Sequence, residues 1–143
     1  LSAGYLGSLL WGAALVLVAA RLGRKSSWIT GTIGVLIGLV AVLYVRNPFG
    51  LLFGLGFGAA LIAAARYLSP AVNERVLWAL GLTSCLYAVL DIKSDVLDRP
   101  ELRSDARMLA EMTGVPTVLW GGLWIAAALF VCWLLFRRLL RQA

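Results

Sequence analysis

Five stretches of this chain carry no charged residue over about the 17–25 positions a helix needs to cross bilayer hydrocarbon. They are Ala3–Ala20, Trp28–Val45, Phe49–Ala65, Val76–Leu90 (running on to Ile92 across Asp91) and Pro116–Phe136. Inside hydrocarbon a backbone N–H or C=O finds no water, so each run must satisfy its own backbone, as an α-helix does. Strands of a membrane barrel would alternate apolar and polar over about ten residues; these runs are apolar on all sides. The first run lacks the basic leading segment of a secretory signal, and four more spans follow it. The expected fold is all-α, a polytopic membrane helix bundle in one transmembrane domain over 1–143. Its spans lie near 3–20, 28–45, 49–65, 76–92 and 116–136, with one short amphipathic helix near 99–113.

Composition agrees with a chain dissolved in lipid. Hydrophobic residues make up 62% and charged residues 14%, against about 45–50% and about 25% in soluble domains. That excludes a soluble globular enzyme, a disordered tail and a disulfide scaffold. The net charge of +6, from thirteen basic and seven acidic residues, does not point to nucleic acid. The charges cluster in short loops between apolar runs, where they set membrane orientation and meet anionic head groups. Arg21, Arg24, Lys25, Arg66, Arg75, Arg137, Arg138 and Arg141 fall on one side, here side A, with Glu74 as its one acid. Arg46, Lys93, Arg99, Arg103 and Arg107 fall on the other, side B, four of them in one longer loop rich in acids. Positive-inside counting places side A, and with it the C-terminus, in the cytoplasm.

Small residues recur at helical spacing within the runs. The first reads Gly4, Ser8, Gly12, the second Gly34, Gly38, and the third Gly50, Gly54, Gly58. A spacing of four puts them on one helix face and lets backbones approach closely, so the expected partners are the lipid bilayer and other transmembrane helices or subunits. Tyr5, Trp28, Tyr44, Tyr67, Trp78, Trp120 and Trp133 fall near span ends, where amphipathic rings anchor at the interface. Cys85 and Cys132 lie in apolar runs and read as small buried hydrophobes. In the loop from Lys93 to Val115, Asp98 reads as an N-cap with Pro100 in the first turn and Glu101 three residues on. Leu102, Ala106, Leu109 and Met112 or Thr113 then follow one face, Gly114 ends the helix and Pro116 opens the next span.

Asp91 is the residue most able to carry chemistry. It follows fifteen uncharged residues, and carboxylates in or beside a membrane are costly and usually functional. Asp95, four residues on, shares its face if the helix continues. Such a pair could bind a metal, relay protons, or cap an interfacial helix end solvated by head groups. Histidine is absent from the 143 residues, which removes the commonest metal ligand.

Several words in the sequence resemble the site-2-protease-like membrane metallopeptidases of the bacterial B-type subgroup. They are Leu1 to Ser8 (LSAGYLGS), Asn47-Pro48-Phe49-Gly50, and Leu86 to Ile92 (LYAVLDI) followed by Asp95. Ser104-Asp105-Ala106, Leu109-Ala110-Glu111, Thr113-Gly114, Pro116, Trp120-Gly121 and Trp124 continue the match in the same order. The resemblance implies an integral protein of the bacterial cytoplasmic membrane that hydrolyses peptide bonds in or beside the bilayer. In that family two histidines of an H-E-x-x-H helix hold zinc, the glutamate activates water, and a carboxylate from a later helix completes the ligands. Asp91 best matches that carboxylate, with Asp95 as second choice.

The chain contains no H-E-x-x-H, so as given it is expected to hold no cofactor and no catalytic residue, zinc belonging to a full-length parent. It opens at Leu1 rather than Met, as a processed form or a fragment does, and the motif is expected upstream. The family's catalytic end lies toward the cytoplasm, whereas the charge count puts side B outside. The alternative is a non-catalytic accessory subunit packing within a larger membrane complex. A carrier or channel fits less well, because no span is broken by an internal proline.

Overall fold

The computed structural model describes residues 3–94, 96 and 105–141. Its elements are α1 (Ala3–Leu22), a 3-10 turn (Gly23–Lys25), α2 (Ser26–Tyr44), α3 (Pro48–Tyr67), α4 (Pro70–Lys93), α5 (Asp105–Thr113) and α6 (Thr117–Leu140). The fold is all-α, with no strand among the described residues. Four continuous helical runs are long and apolar enough to cross a membrane: Gly7–Tyr44, Pro48–Tyr67, Pro70–Lys93 and Thr117–Leu140. The first spans 38 residues, about twice the roughly 20 that one crossing needs. It holds two helices, α1 and α2, because the 3-10 turn carries helical bonding through the basic break that separates two charge-free stretches of sequence. Gly23 sits in that break at φ 41°, a left-handed conformation that glycine adopts without steric cost.

Helix starts follow local chemistry. Asn47 accepts a hydrogen bond from the Gly50 N–H, and Pro48 fills the first position of α3. Ser69 does the same for α4 through the Val72 N–H, with Pro70 following it. Both pairings satisfy a free helix donor at a site where proline loses nothing. Helix limits exceed the charge-free stretches: α3 includes Arg66, α4 begins at Pro70 and α6 includes Arg137 and Arg138. A charge ends the apolar run, but the helix continues into the interface, where water and head groups solvate it. The Arg137 guanidinium lies 5.3 Å from the Trp133 ring centre, pairing cation and aromatic at that end of α6.

The chain divides into two compact units, residues 18–79 and residues 1–17 with 80–143. In the first, α2 and α3 form an antiparallel hairpin in near backbone contact. A β-carbon on Gly34 would stand 2.7 Å from the Gly58 carbonyl oxygen, and one on Gly58 would stand 2.7 Å from that of Gly34. Farther along, Gly54 faces Ala41 and Gly31 faces Ala65. Gly50 has its space filled by its own turn, Asn47 and Val45, while Gly38 opens onto free space. The end of the hairpin is tied to α4 by Asn73, which is fully buried. Its amide donates to the carbonyls of Ala64, Leu68 and Ser69 at 3.0–3.2 Å. Ala64 already accepts from the Leu68 N–H and Ser69 from the Val72 and Asn73 N–H groups, so the amide adds a further bond at those two and reaches the Leu68 carbonyl at the end of α3.

In the second unit α1 and α4 run antiparallel. Gly12 lies against Gly81 and Cys85, and a β-carbon on Gly81 would stand 2.6 Å from the Gly12 oxygen. Ser84 Oγ donates to the Ser8 carbonyl at 2.9 Å and the Cys85 thiol to that of Leu9 at 3.6 Å. The amphipathic helix is present as α5, whose C-terminal Gly114 takes φ 72° and donates to the Ala110 carbonyl at 2.9 Å. The cap expected at Asp98, Pro100 and Glu101, and Leu102 on the helix face, lie outside the described residues.

Gly58→Leu should unfold the hairpin, because the atoms it meets are backbone and cannot move aside. A loss of about 1–3 kcal/mol or more is expected, as for overpacked cores. Gly56→Ala, which meets nothing within 4 Å, should stay within roughly 0.5 kcal/mol of the parent. Thermal unfolding in detergent, followed by far-UV circular dichroism, reads the difference.

Candidate functional site

The side-B half of α4 carries the chemistry-bearing residues. Gly81, Cys85, Ala88, Ile92 and Val96 are buried at steps of three and four, one continuous inward stripe. Asp91 adjoins that stripe and is half-buried. It follows Ser84 by seven residues, so it projects within about 20° of the same face and about 10 Å farther along. Ser84, with Cys85 beside it, bonds to α1. On the antiparallel register set by Ser8 with Ser84 and Gly12 with Gly81, Asp91 stands level with the N-terminal end of α1. Asp95 lies outside the described residues.

The stripe beyond Asp91 is locked by α5 and α6. Ile92 and Val96 form one apolar cluster with Ala106 of α5 and Trp124 of α6, against which Leu109, Trp120 and Ile125 pack. A β-carbon on Gly121 would lie within 3.0 Å of three side-chain atoms of Val96, so α6 presses directly on this end of α4. Thr113 pins α5 to α6: its hydroxyl donates to the Leu109 carbonyl at 2.6 Å and accepts from Trp120 Nε1 at 3.2 Å. Arg107 and Glu111 pair at 3.3 Å on the exposed face of α5, where such pairs contribute little.

The two cysteines, far apart in sequence, meet: the Cys85 and Cys132 thiols interact side chain to side chain, and both are free. No spacing signal in the sequence joins them. The same holds for the Ser8–Ser84 bond and for Gly81, a lone glycine outside any four-residue repeat. Tertiary register creates all three.

The described residues do not by themselves fit a zinc ion. Zinc in a catalytic site takes three protein ligands plus water, and no three His, Cys, Asp or Glu side chains converge among the described residues. Asp91 offers a single carboxylate, and no histidine exists in the chain. What this end can do unaided is hold one carboxylate rigidly at the edge of an apolar core.

The side-B end of α4 should be reachable from water at position 91. An Asp91→Cys chain in membranes should take up one equivalent of a water-soluble maleimide, since the reacting thiolate forms only where water reaches it. The parent's Cys85 and Cys132 should stay unlabelled. Mass spectrometry of the intact chain counts the adducts, and an unlabelled Asp91→Cys would place this position away from water.

A protein-family model described as Peptidase M50B-like matches residues 1–135. No curated protein matches the chain, and no solved structure does.

Proposed function

The chain belongs to the Peptidase M50B-like family, and on that premise we propose that it is the helical membrane frame of a site-2-protease-like peptidase. In this reading Asp91 is the one carboxylate that these residues offer to a zinc site whose histidines lie outside them. The parent enzyme would hydrolyse peptide bonds of membrane-associated proteins. The observation that carries the proposal is the family match over 135 residues, which includes the segment that positions Asp91.

The geometry supports the assignment in two ways. Asp91 sits at the end of an apolar helix, half-buried, where a carboxylate costs less than at mid-membrane. The helix beneath it is immobilised by the Ile92, Val96 and Trp124 cluster, and a ligand must be held still by its surroundings. Asp95 is the second choice for the same role. The excess of basic residues on side A supports a cytoplasmic C-terminus, which sets the Asp91 end outside, opposite to the cytoplasmic catalytic end that the family resemblance implies. A bacterial cytoplasmic membrane rests on that resemblance.

A second reading, a non-catalytic accessory subunit of a larger complex, is favoured by the absence of histidine from the 143 residues. The two readings diverge in the natural full-length protein.

The 143-residue chain, purified alone, should hold no stoichiometric, chelator-sensitive zinc by metal analysis. In the full-length protein, Asp91→Asn should lower zinc content and peptide hydrolysis by at least about ten-fold with unchanged helicity, and Asp95→Asn should do less. The opposite ranking would transfer the role to Asp95. A full-length protein indifferent to both changes, or without hydrolysis of any membrane substrate, would favour the accessory subunit.

A further inference from the structure

The α2–α3 hairpin carries a furrow along its length. At its side-A end, Ser27, Trp28, Gly31, Thr32, Ala65 and Arg66 line a groove of about 540 Å³. Val35 and Ile62 belong both to this groove and to a second one that continues past Gly38 toward Leu43 and Leu55. The two form one channel, apolar along the hairpin and polar at the side-A end. Gly34 and Gly58 bring the two backbones into near contact along the furrow.

The ends of the channel differ in charge. Arg66 stands at the side-A end, and among the described residues no carboxylate pairs with it. Trp28 and Tyr67 are both exposed at the same level, where amphipathic rings mark the interface. From Trp28 to Gly38 the helix rises about 15 Å, the depth of one leaflet of a bilayer with roughly 30 Å of hydrocarbon. The floor is set by Gly31 and Gly38, and Gly38 has open space where a side chain would stand. A leaflet-deep apolar track capped by an unpaired cation is complementary to one kind of molecule.

We propose that this furrow is a binding site for an anionic phospholipid of the side-A leaflet, its acyl chain lying over Gly31, Val35 and Gly38 and its phosphate held by Arg66. Ser27 lines the same end of the groove as a further hydroxyl partner, whereas the Thr32 hydroxyl proton is donated to the Trp28 carbonyl at 2.9 Å. Trp28 shields the head group from one side. The site is separate from Asp91 and does not depend on any peptidase activity.

The test uses the whole chain in nanodiscs of phosphatidylcholine with a minor share of phosphatidylglycerol, followed by native mass spectrometry of retained lipid. The parent should retain phosphatidylglycerol preferentially, about one per chain. Arg66→Gln should weaken that preference about five-fold, the effect expected of one basic residue near a membrane surface; Arg66→Lys should keep most of it. Gly38→Leu, whose β-carbon meets nothing within 4 Å and whose side chain would occupy the furrow, should lose both lipids. Arg75→Gln, an exposed charge outside the groove, should change nothing. Equal losses from Arg66→Gln and Arg75→Gln would reduce the effect to diffuse surface charge and overturn the site. Full retention by Gly38→Leu, or a lipid-free dimer in place of a lipid-bound chain, would also overturn it. Should Arg66→Gln fail to fold, the comparison of Gly38→Leu with Arg66→Lys still decides.

Discussion

Contact between helix backbones at glycine is the interaction on which the rest of this structure depends. In lipid no hydrophobic force draws one apolar helix to another, so association rests on close packing and on hydrogen bonds between helices. Gly34 with Gly58 and Gly12 with Gly81 remove the β-carbons that would hold the backbones apart. Side chains above and below each pair then interdigitate: Ala41 beside Gly54, Ala65 beside Gly31, Val16 beside Gly81. The furrow with Arg66 at its end runs along the same closely packed hairpin.

Hydrogen bonds complete what the glycines begin. Asn73 collects three carbonyls at the corner between α3 and α4, and Ser84 reaches one on α1. Most of these carbonyls already accept a helical N–H, as Ala64 does from Leu68 and Ser69 from Asn73. Each side chain therefore adds a second bond there and satisfies its own donor, which unmet in an apolar setting would cost about 1–3 kcal/mol. Thr113 performs the equivalent task between α5 and α6. Polar side chains are few in this protein, and these sit where helices meet or end.

The candidate site is a consequence of that scaffold. Asp91 is carried past the membrane interior on the face already directed at α1 by Ser84, and the Val96–Gly121 contact fixes the helix beyond it. One immobile carboxylate is a component of a metal site and not a site in itself. Family membership supplies the chemical context for Asp91, and the helices supply its position.

The sequence alone determined that the chain is all-α and membrane-embedded, because uncharged runs of that length satisfy their backbone only as helices. It also singled out Asp91, because a charge against an apolar run is visible without coordinates, and its words carried the family. The expected spans began near 49 and 76, whereas the helices start at Pro48 and Pro70, where Asn47 and Ser69 cap them through local chemistry. Helix limits were less legible: α3, α4 and α6 extend into charged segments, since the interface solvates what hydrocarbon would reject. Only the tertiary structure decided which small residues touch. Gly34 and Gly58 meet a partner backbone, Gly38 opens onto a furrow and Gly50 faces its own cap, although all four sit in the same four-residue pattern. The meeting of Ser8 with Ser84 and of Cys85 with Cys132 was decided there too. A four-residue period fixes a face of one helix, whereas a contact requires the register between two, and no local pattern in either helix contains that register.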